Sequence, residues 1–258
     1  MSDLPTILLR LFAVAVVLFM LTPLLVLVLF CFSERSLVTF PITGFTLDWF
    51  AKLFERPAFW DALRNSLIVT GTVGVVSTLL GTSAAMVLAR VRARYVGPIM
   101  LLIMFPIMLP PLVLGVALLT YFSTVEVRLG LFTVILAHLV FTQPFVILIV
   151  QARMIGFDYR IVHSARDLGA SHFRAFVTVT FPIIRPTIIG AAMVAMALSV
   201  DDFIVTFFTI GGGNTLPTFL WGMLRMGVNP TINIVAMLIM LLTVVVSLVA
   251  LRVTRWRG

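Results

Sequence analysis

Apolar residues gather in six long blocks along the chain, at about 11–32, 66–88, 98–121, 130–152, 187–209 and 232–254, with the polar residues collected between them. Every block exceeds 20 residues. At about 1.5 Å of rise per residue, that length crosses a hydrocarbon core about 30 Å thick. The pattern predicts an all-α integral membrane protein with six transmembrane helices, organised as one transmembrane domain over 1–258. The first block is longer than the apolar stretch of a signal peptide, and no A-x-A cleavage pattern follows it, so it is read as a span.

Between the blocks, three connections carry their own patterns. In the 33–63 connection, Trp49, Phe50, Leu53 and Phe54 recur at helical spacing beside charged residues, which predicts an amphipathic helix. Two roles stand open for it: a packed cover on the outer face, and a contact for a soluble partner. The segment 212–230 is apolar and contains glycine. It either dips back as an outer gate or covers the pathway. The connection at 156–186 reads GFDYRIVHSARDLGASHFRAFVTVTFPIIRP. Asp158 is placed to cap a helix whose apolar face is Ile161, Ala165 and Leu168, and Gly169 falls where a left-handed residue ends it. Ser171 then caps a second helix running to Pro182.

Composition agrees with the spans. The chain is 61% hydrophobic and 11% charged, against about 25% charged residues in soluble domains. Lipid must solvate that much apolar surface. One cysteine, Cys31, excludes an intrachain disulfide. The single lysine, Lys52, has no glycine near it, so a Walker-type phosphate loop is excluded, and GGGN at 211–214 is read as a flexible loop.

The net charge of +8 is a matter of topology. With the N-terminus inside, 12 of the 18 basic residues fall in cytoplasmic segments, beside only Asp3, Asp158 and Asp167. The outer basic residues are nearly balanced by acids. That asymmetry predicts cytoplasmic termini and no nucleic-acid partner.

Polar residues inside the blocks are the candidates for function. Asp201 and Asp202 each cost roughly 2.5–3.5 kcal/mol at a helix centre, and the ten Leu, Ile, Val and Phe of 187–209 return roughly 0.3–0.6 each, so the sum is near zero. The carboxylates must therefore face protein or water. On a continuous helix Ser199, Asp202, Thr206 and Thr209 share one stripe. Asp202 is expected to line a polar pathway with Ser199 and Thr206. Asp201, on another face, is a further pathway candidate, or is expected to reach a partner across an interface or to satisfy a locally broken helix. A negative pathway favours a cationic solute.

Pro106, Pro110 and Pro111 should kink or break the third span, as a gate hinge or as kinked packing. His138 shares a face with Thr142 and is read as a buried histidine satisfied by a neighbouring helix, the rival reading being a substrate ligand. Gly74, Ser77, Gly81 and Ala85 form a small-residue stripe for close helix packing. No metal cluster is expected.

The 156–182 segment resembles the signature loop of inner-membrane permease subunits of binding-protein-dependent ABC importers. That signature reads Glu-Ala-Ala, three residues, Gly, nine residues, then Ile-x-Leu-Pro; here the matching positions are HSA at 163–165, Gly169 and VTFP at 179–182. His163 and Ser164 depart from the family's Glu-Ala. SVDDFIVTFF, LPTFLWGMLRMGVNPTIN and MLPPLVLG further resemble the polyamine permease subfamily of spermidine and putrescine importers, although Pro111 stands where many members carry an acid. The resemblance covers about 60–255.

It implies a type I importer permease fold in a bacterial inner membrane, with no catalysis in this chain. It also implies a second, different permease subunit, an extracytoplasmic substrate-binding protein, and two ATPase subunits that bind ATP and Mg. His163, Ser164, Ala165, Arg166, Gly169 and Phe173 are the residues it assigns to the ATPase contact. The expected solute is a polyamine; a monoamine, an amino-acid-like molecule or another small solute is the alternative. An ion-coupled secondary transporter is the rival class, and it leaves the 156–186 loop unexplained.

Overall fold

A computed structural model describes residues 4–36, 39–227 and 229–255. The helices are α1 Leu4–Cys31, α2 Asp48–Phe54, α3 Pro57–Leu88, α4 Ala93–Met108, α5 Pro111–Thr124, α6 Leu131–Ile155, α7 Arg160–Asp167, α8 His172–Ala175, α9 Phe181–Asp201, α10 Ile204–Thr209, α11 Leu216–Met226 and α12 Pro230–Arg255. A π-helical turn, Phe176–Thr180, joins α8 to α9. Five helical stretches are long and apolar enough to cross a membrane, and the bent pair α4–α5 makes a sixth if taken as one span.

Two expected spans are not continuous helices. The third bends by 97° between α4 and α5. Its sequence supplies the reason: Leu109 and Pro110 each precede a proline, which disfavours helical backbone, and both are extended, with ψ of 139° and 136°. Pro111 then starts α5 at the position where a missing N–H costs nothing. The fifth, expected over 187–209, breaks at Asp202, whose ψ of 121° ends α9. A short carboxylate side chain can bond nearby backbone and so competes with the helix there.

The second helix of the 156–186 connection, conversely, does not stop at Pro182. It continues through the π turn into α9, giving one stretch from His172 to Asp201. The widened turn ahead of Pro182 relieves the clash that its ring would make with an α-helical carbonyl four residues back.

The described chain forms two compact units, one drawn from 1–60 and 219–240 and the other from 61–218 and 241–258. In the first, residues 6–25 of α1 are exposed along their whole length. The predicted amphipathic helix is α2: Leu53 is buried, Trp49 Nε1 donates to Ser33 O at 2.9 Å, and Phe50 stacks near Phe32. Phe59 is buried against Phe219 at a ring separation of 6.4 Å.

The second unit contains the close packing that the small-residue stripe predicts. Gly74 faces Met196, Gly81 faces Val146, Ser77 Oγ lies 3.2 Å from Thr142 Oγ1, and Ala85 is buried in a cluster with Val146, Val150, Ile184 and Ala191. α10 folds onto α5 where Gly115 removes a side chain: a Cβ there would meet the Phe208 ring at 2.8 Å. Val205 joins Leu114, Phe122 and Ala137 in the cluster beneath.

Candidate functional site

Within the second unit, the end of α9, the start of α10 and the middle of α6 converge on one histidine. His138 is 1% exposed. Its Nδ1 lies 2.8 Å from Ser199 Oγ and its Nε2 lies 2.8 Å from Thr206 Oγ1. Asp202 Oδ2 stands 3.4 Å from the same Nε2. It also accepts from Thr206 N at 2.8 Å and from Thr206 Oγ1 at 3.0 Å. Behind the ring, Thr142 Oγ1 donates to His138 O at 2.8 Å.

The donors and acceptors form a consistent chain. An ionised carboxylate only accepts, so the Thr206 hydroxyl donates to Asp202 and accepts from His138 Nε2–H. On a ring that carries its proton at Nε2 alone, Nδ1 accepts from Ser199. The backbone of 202–203 is thus anchored at the point where helical bonding stops. Each buried group left without its partner here costs roughly 1–3 kcal/mol.

Next to this network is a cavity of about 520 Å³. Its wall includes Pro106, Leu109 and Pro111 from the bend, Phe141 and Phe145 from α6, and Asp201, Asp202 and Val205 from the break. Phe141 connects the two features, with its ring centroid 5.1 Å from that of His138. Asp201 is exposed on this wall and, among the described residues, has neither an ion-pair nor a hydrogen-bond partner.

The four residues expected along a pathway are therefore divided. Ser199 and Thr206 are 4% and 0% exposed and bonded to His138, because the break turns their stripe inward against α6. Asp202 lines the cavity and also satisfies the break, a role expected for Asp201. The sequence pointed to a buried, satisfied His138; it did not show that the partners are the aspartate's own stripe. The hint was present in the i, i+4 pair His138 and Thr142, whose hydroxyl faces the other way, to Ser77. Among the described residues no group of His, Cys, Asp and Glu could hold a metal.

The 156–182 segment has defined geometry. Ala170 N donates to Ala165 O at 3.1 Å and Gly169 N to Arg166 O at 2.9 Å, with Gly169 at φ +90°. These two bonds around a left-handed residue are a Schellman ending of α7. Ser171 caps α8 by accepting from Arg174 N at 3.2 Å. The expected cap at Asp158 is displaced: Tyr159 holds the N-cap position of α7, and Asp158 Oδ1 accepts from both N and Nε of Arg160 at 3.0 Å. The bonds from Arg160 hold the Asp158 carboxyl below the usual carboxylate range. His163, Ser164 and Arg166 are exposed and Ala165 is half-buried. Leu168 and Phe173, 89% and 76% exposed, present large apolar surface beside them.

A multi-span α-helical chain, broken beside a cavity and bearing an ordered two-helix connection between spans, is a membrane transport subunit. The chain belongs to the family of binding-protein-dependent transport system inner membrane components, whose model matches residues 77–258. It is 34% identical over 230 residues to the putrescine transport system permease protein PotI of Escherichia coli K12, covering 86% of this chain and 82% of that protein. It is 28% identical over 249 residues to the spermidine/putrescine transport system permease protein PotC of the same strain, covering 95% and 92%.

Solved structures extend the likeness to the fold. A chain of a bacterial alginate ABC transporter, solved in complex with an alginate-pentasaccharide-bound periplasmic protein, superposes with a TM-score of 0.74 at 15% identity, covering 98% of this chain and 94% of that one. A chain of the inward-facing MetNI methionine ABC transporter gives 0.63 at 20% identity, covering 78% and 97%. The type I importer permease fold expected from the sequence is the fold observed, and the chain is an ABC importer permease of the inner membrane.

Proposed function

We propose that this chain forms half of the transmembrane pathway of an ATP-driven importer for a small organic cation of the polyamine class. Asp201 carries the solute class: an exposed carboxylate without counter-charge on the wall of a cavity otherwise lined mostly by apolar side chains. Such a group can replace part of a cation's hydration shell, and an ammonium gains from a charge-assisted hydrogen bond there. The names of the two relatives, a putrescine and a spermidine/putrescine permease, support the same class.

The assembly that supports this activity contains a second permease chain, an extracytoplasmic binding protein and two ATPases, with ATP and Mg in the ATPases alone. α7 and the Gly169 turn form the contact with the ATPase, through His163, Ser164, Ala165, Arg166 and Phe173. Rigid helices beyond the turn carry closure of the ATPases to the cavity. Both termini lie on the cytoplasmic side, following the arginines.

Pro111 favours a second reading of the solute. It lies on the cavity wall, where many polyamine-type members carry an acid, so one fewer negative charge faces the solute. A monoamine or a zwitterion suits that wall.

Uptake by the complete transporter in proteoliposomes tests both readings, with putrescine, a monoamine and an amino acid offered in parallel. ATP-dependent accumulation of putrescine supports the first reading and preference for the monoamine the second. Accumulation driven by an ion gradient, with no nucleotide present, ends both.

A further inference from the structure

Asp201 and Asp202 are neighbours in sequence and differ in surroundings. Asp202 is 14% exposed, with its Oδ2 accepting from Thr206 N and Thr206 Oγ1 and lying 3.4 Å from His138 Nε2. Asp201 is exposed on the same cavity wall, with its acceptor sites open. Between the two flanks of the break stands His138. It reaches from α6 to Ser199 before the break and to Thr206 after it, bridging Asp202 and Phe203 where the helix is interrupted.

Backbone released from a helix at membrane depth must be satisfied by protein or by a lined cavity. Here one imidazole anchors both flanks, and the Asp202 side chain takes up the Thr206 amide. A carboxylate used in this way has one oxygen committed to the fold, whereas both oxygens of Asp201 are open.

Resting on the cation-importer reading, we propose that His138 is a positioning residue for transport: by pinning the α9–α10 break and holding Asp202, it leaves Asp201 as the carboxylate that meets the cation. Asp202 then sets the course of the backbone and Asp201 provides the open acceptor. The sharing of His138, Ser199, Thr206 and Asp202 in one network fixes the direction in which Asp201 leaves the end of α9.

The test uses the complete transporter in proteoliposomes with putrescine as the probe. Asp201→Asn raises the KM for putrescine about tenfold or more, with a smaller change in maximal rate, as expected for a lost charge-assisted contact. His138→Leu lowers uptake about tenfold or more, whereas His138→Gln, which keeps one donor and one acceptor, recovers it to within about threefold. Equal loss in the Gln and Leu variants, or an unchanged KM in Asp201→Asn, overturns the proposal.

Amide hydrogen exchange over 203–209 in the same complex reads the pin without any solute. Faster exchange in His138→Leu and wild-type exchange in His138→Gln support it; wild-type exchange in His138→Leu overturns it. A wild-type complex that takes up neither putrescine nor a monoamine overturns the cation reading instead, and the exchange data still decide the pin.

Discussion

Gly81 of α3 lies so close to Val146 of α6 that a methyl group on the glycine would come within 2.6 Å of the valine's Cγ1. The approach is part of the stripe Gly74, Ser77, Gly81 and Ala85, along which α3 presents hydrogens and hydroxyls to its neighbours. Without a hydrophobic drive between helices in lipid, contact of this kind supplies much of their association. Gly81→Val is expected to cost about 1–3 kcal/mol through overpacking, seen as a lower thermal midpoint of the detergent-solubilised complex. Gly97→Ala, where the added Cβ meets nothing within 4 Å, is the control and should leave the midpoint unchanged or higher.

Gly169 presents the opposite situation. A Cβ there meets nothing within 4 Å, and φ is +90°, so any penalty is conformational. Gly169→Val is expected to cost roughly 1–2 kcal/mol in the turn and to lower the solute moved per ATP hydrolysed. Asn tolerates the left-handed region better and should lower that ratio less. Paired measurements of uptake and phosphate release check this, and wild-type coupling in Gly169→Val would remove the turn from the mechanism.

Ser171 is the cap at the other side of that turn, through its bond to Arg174 N. Ser171→Ala is expected to cost about 1 kcal/mol and to speed amide exchange at Arg174 within the intact complex. Ser171→Asp retains an acceptor and should restore most of the protection.

The Asp158–Arg160 contact has a pH dependence of known sign. The folded carboxyl sits below its ordinary range because Arg160 bonds to it. Its contribution is therefore complete above the unfolded carboxyl's value and is lost as pH falls through the lower, folded one. Amide exchange at Arg160, corrected for its intrinsic pH dependence, should stay flat from neutral to weakly acid solution and rise only in that acid range. Asp158→Asn should raise it at neutral pH and flatten the profile.

Much of this architecture is legible in the chain. The α3 stripe, the proline break, the amphipathic α2 and the turn at Gly169 depend on local chemistry: small side chains, missing N–H groups, helical spacing and a left-handed glycine. The end of the 187–209 helix was less visible. Nothing in the periodicity of SVDDFIVTFF separates a continuous helix from one that stops at Asp202, because the deciding partner, His138, lies 64 residues away in the sequence. The stripe that included Asp202 was read on an unbroken helix; the structure ends that helix at Asp202, whose carboxylate both borders the cavity and accepts from Thr206 N. The helix likewise runs past Pro182, where the π turn ahead of the ring makes room for it.

The elbow between Met108 and Pro111 decides what the third span must be surrounded by. α4 and α5 have 16 and 14 residues, about 24 and 21 Å, so neither half matches the thickness of the bilayer core by itself. Bare peptide carbonyls at the corner are intolerable to acyl chains and call for a neighbouring polypeptide or a wet lining. The chain supplies that lining itself: Leu109 and Pro111 border the cavity closed on its other sides by Phe141, Phe145 and Val205, so the corner is sheltered by the very hollow it helps to shape.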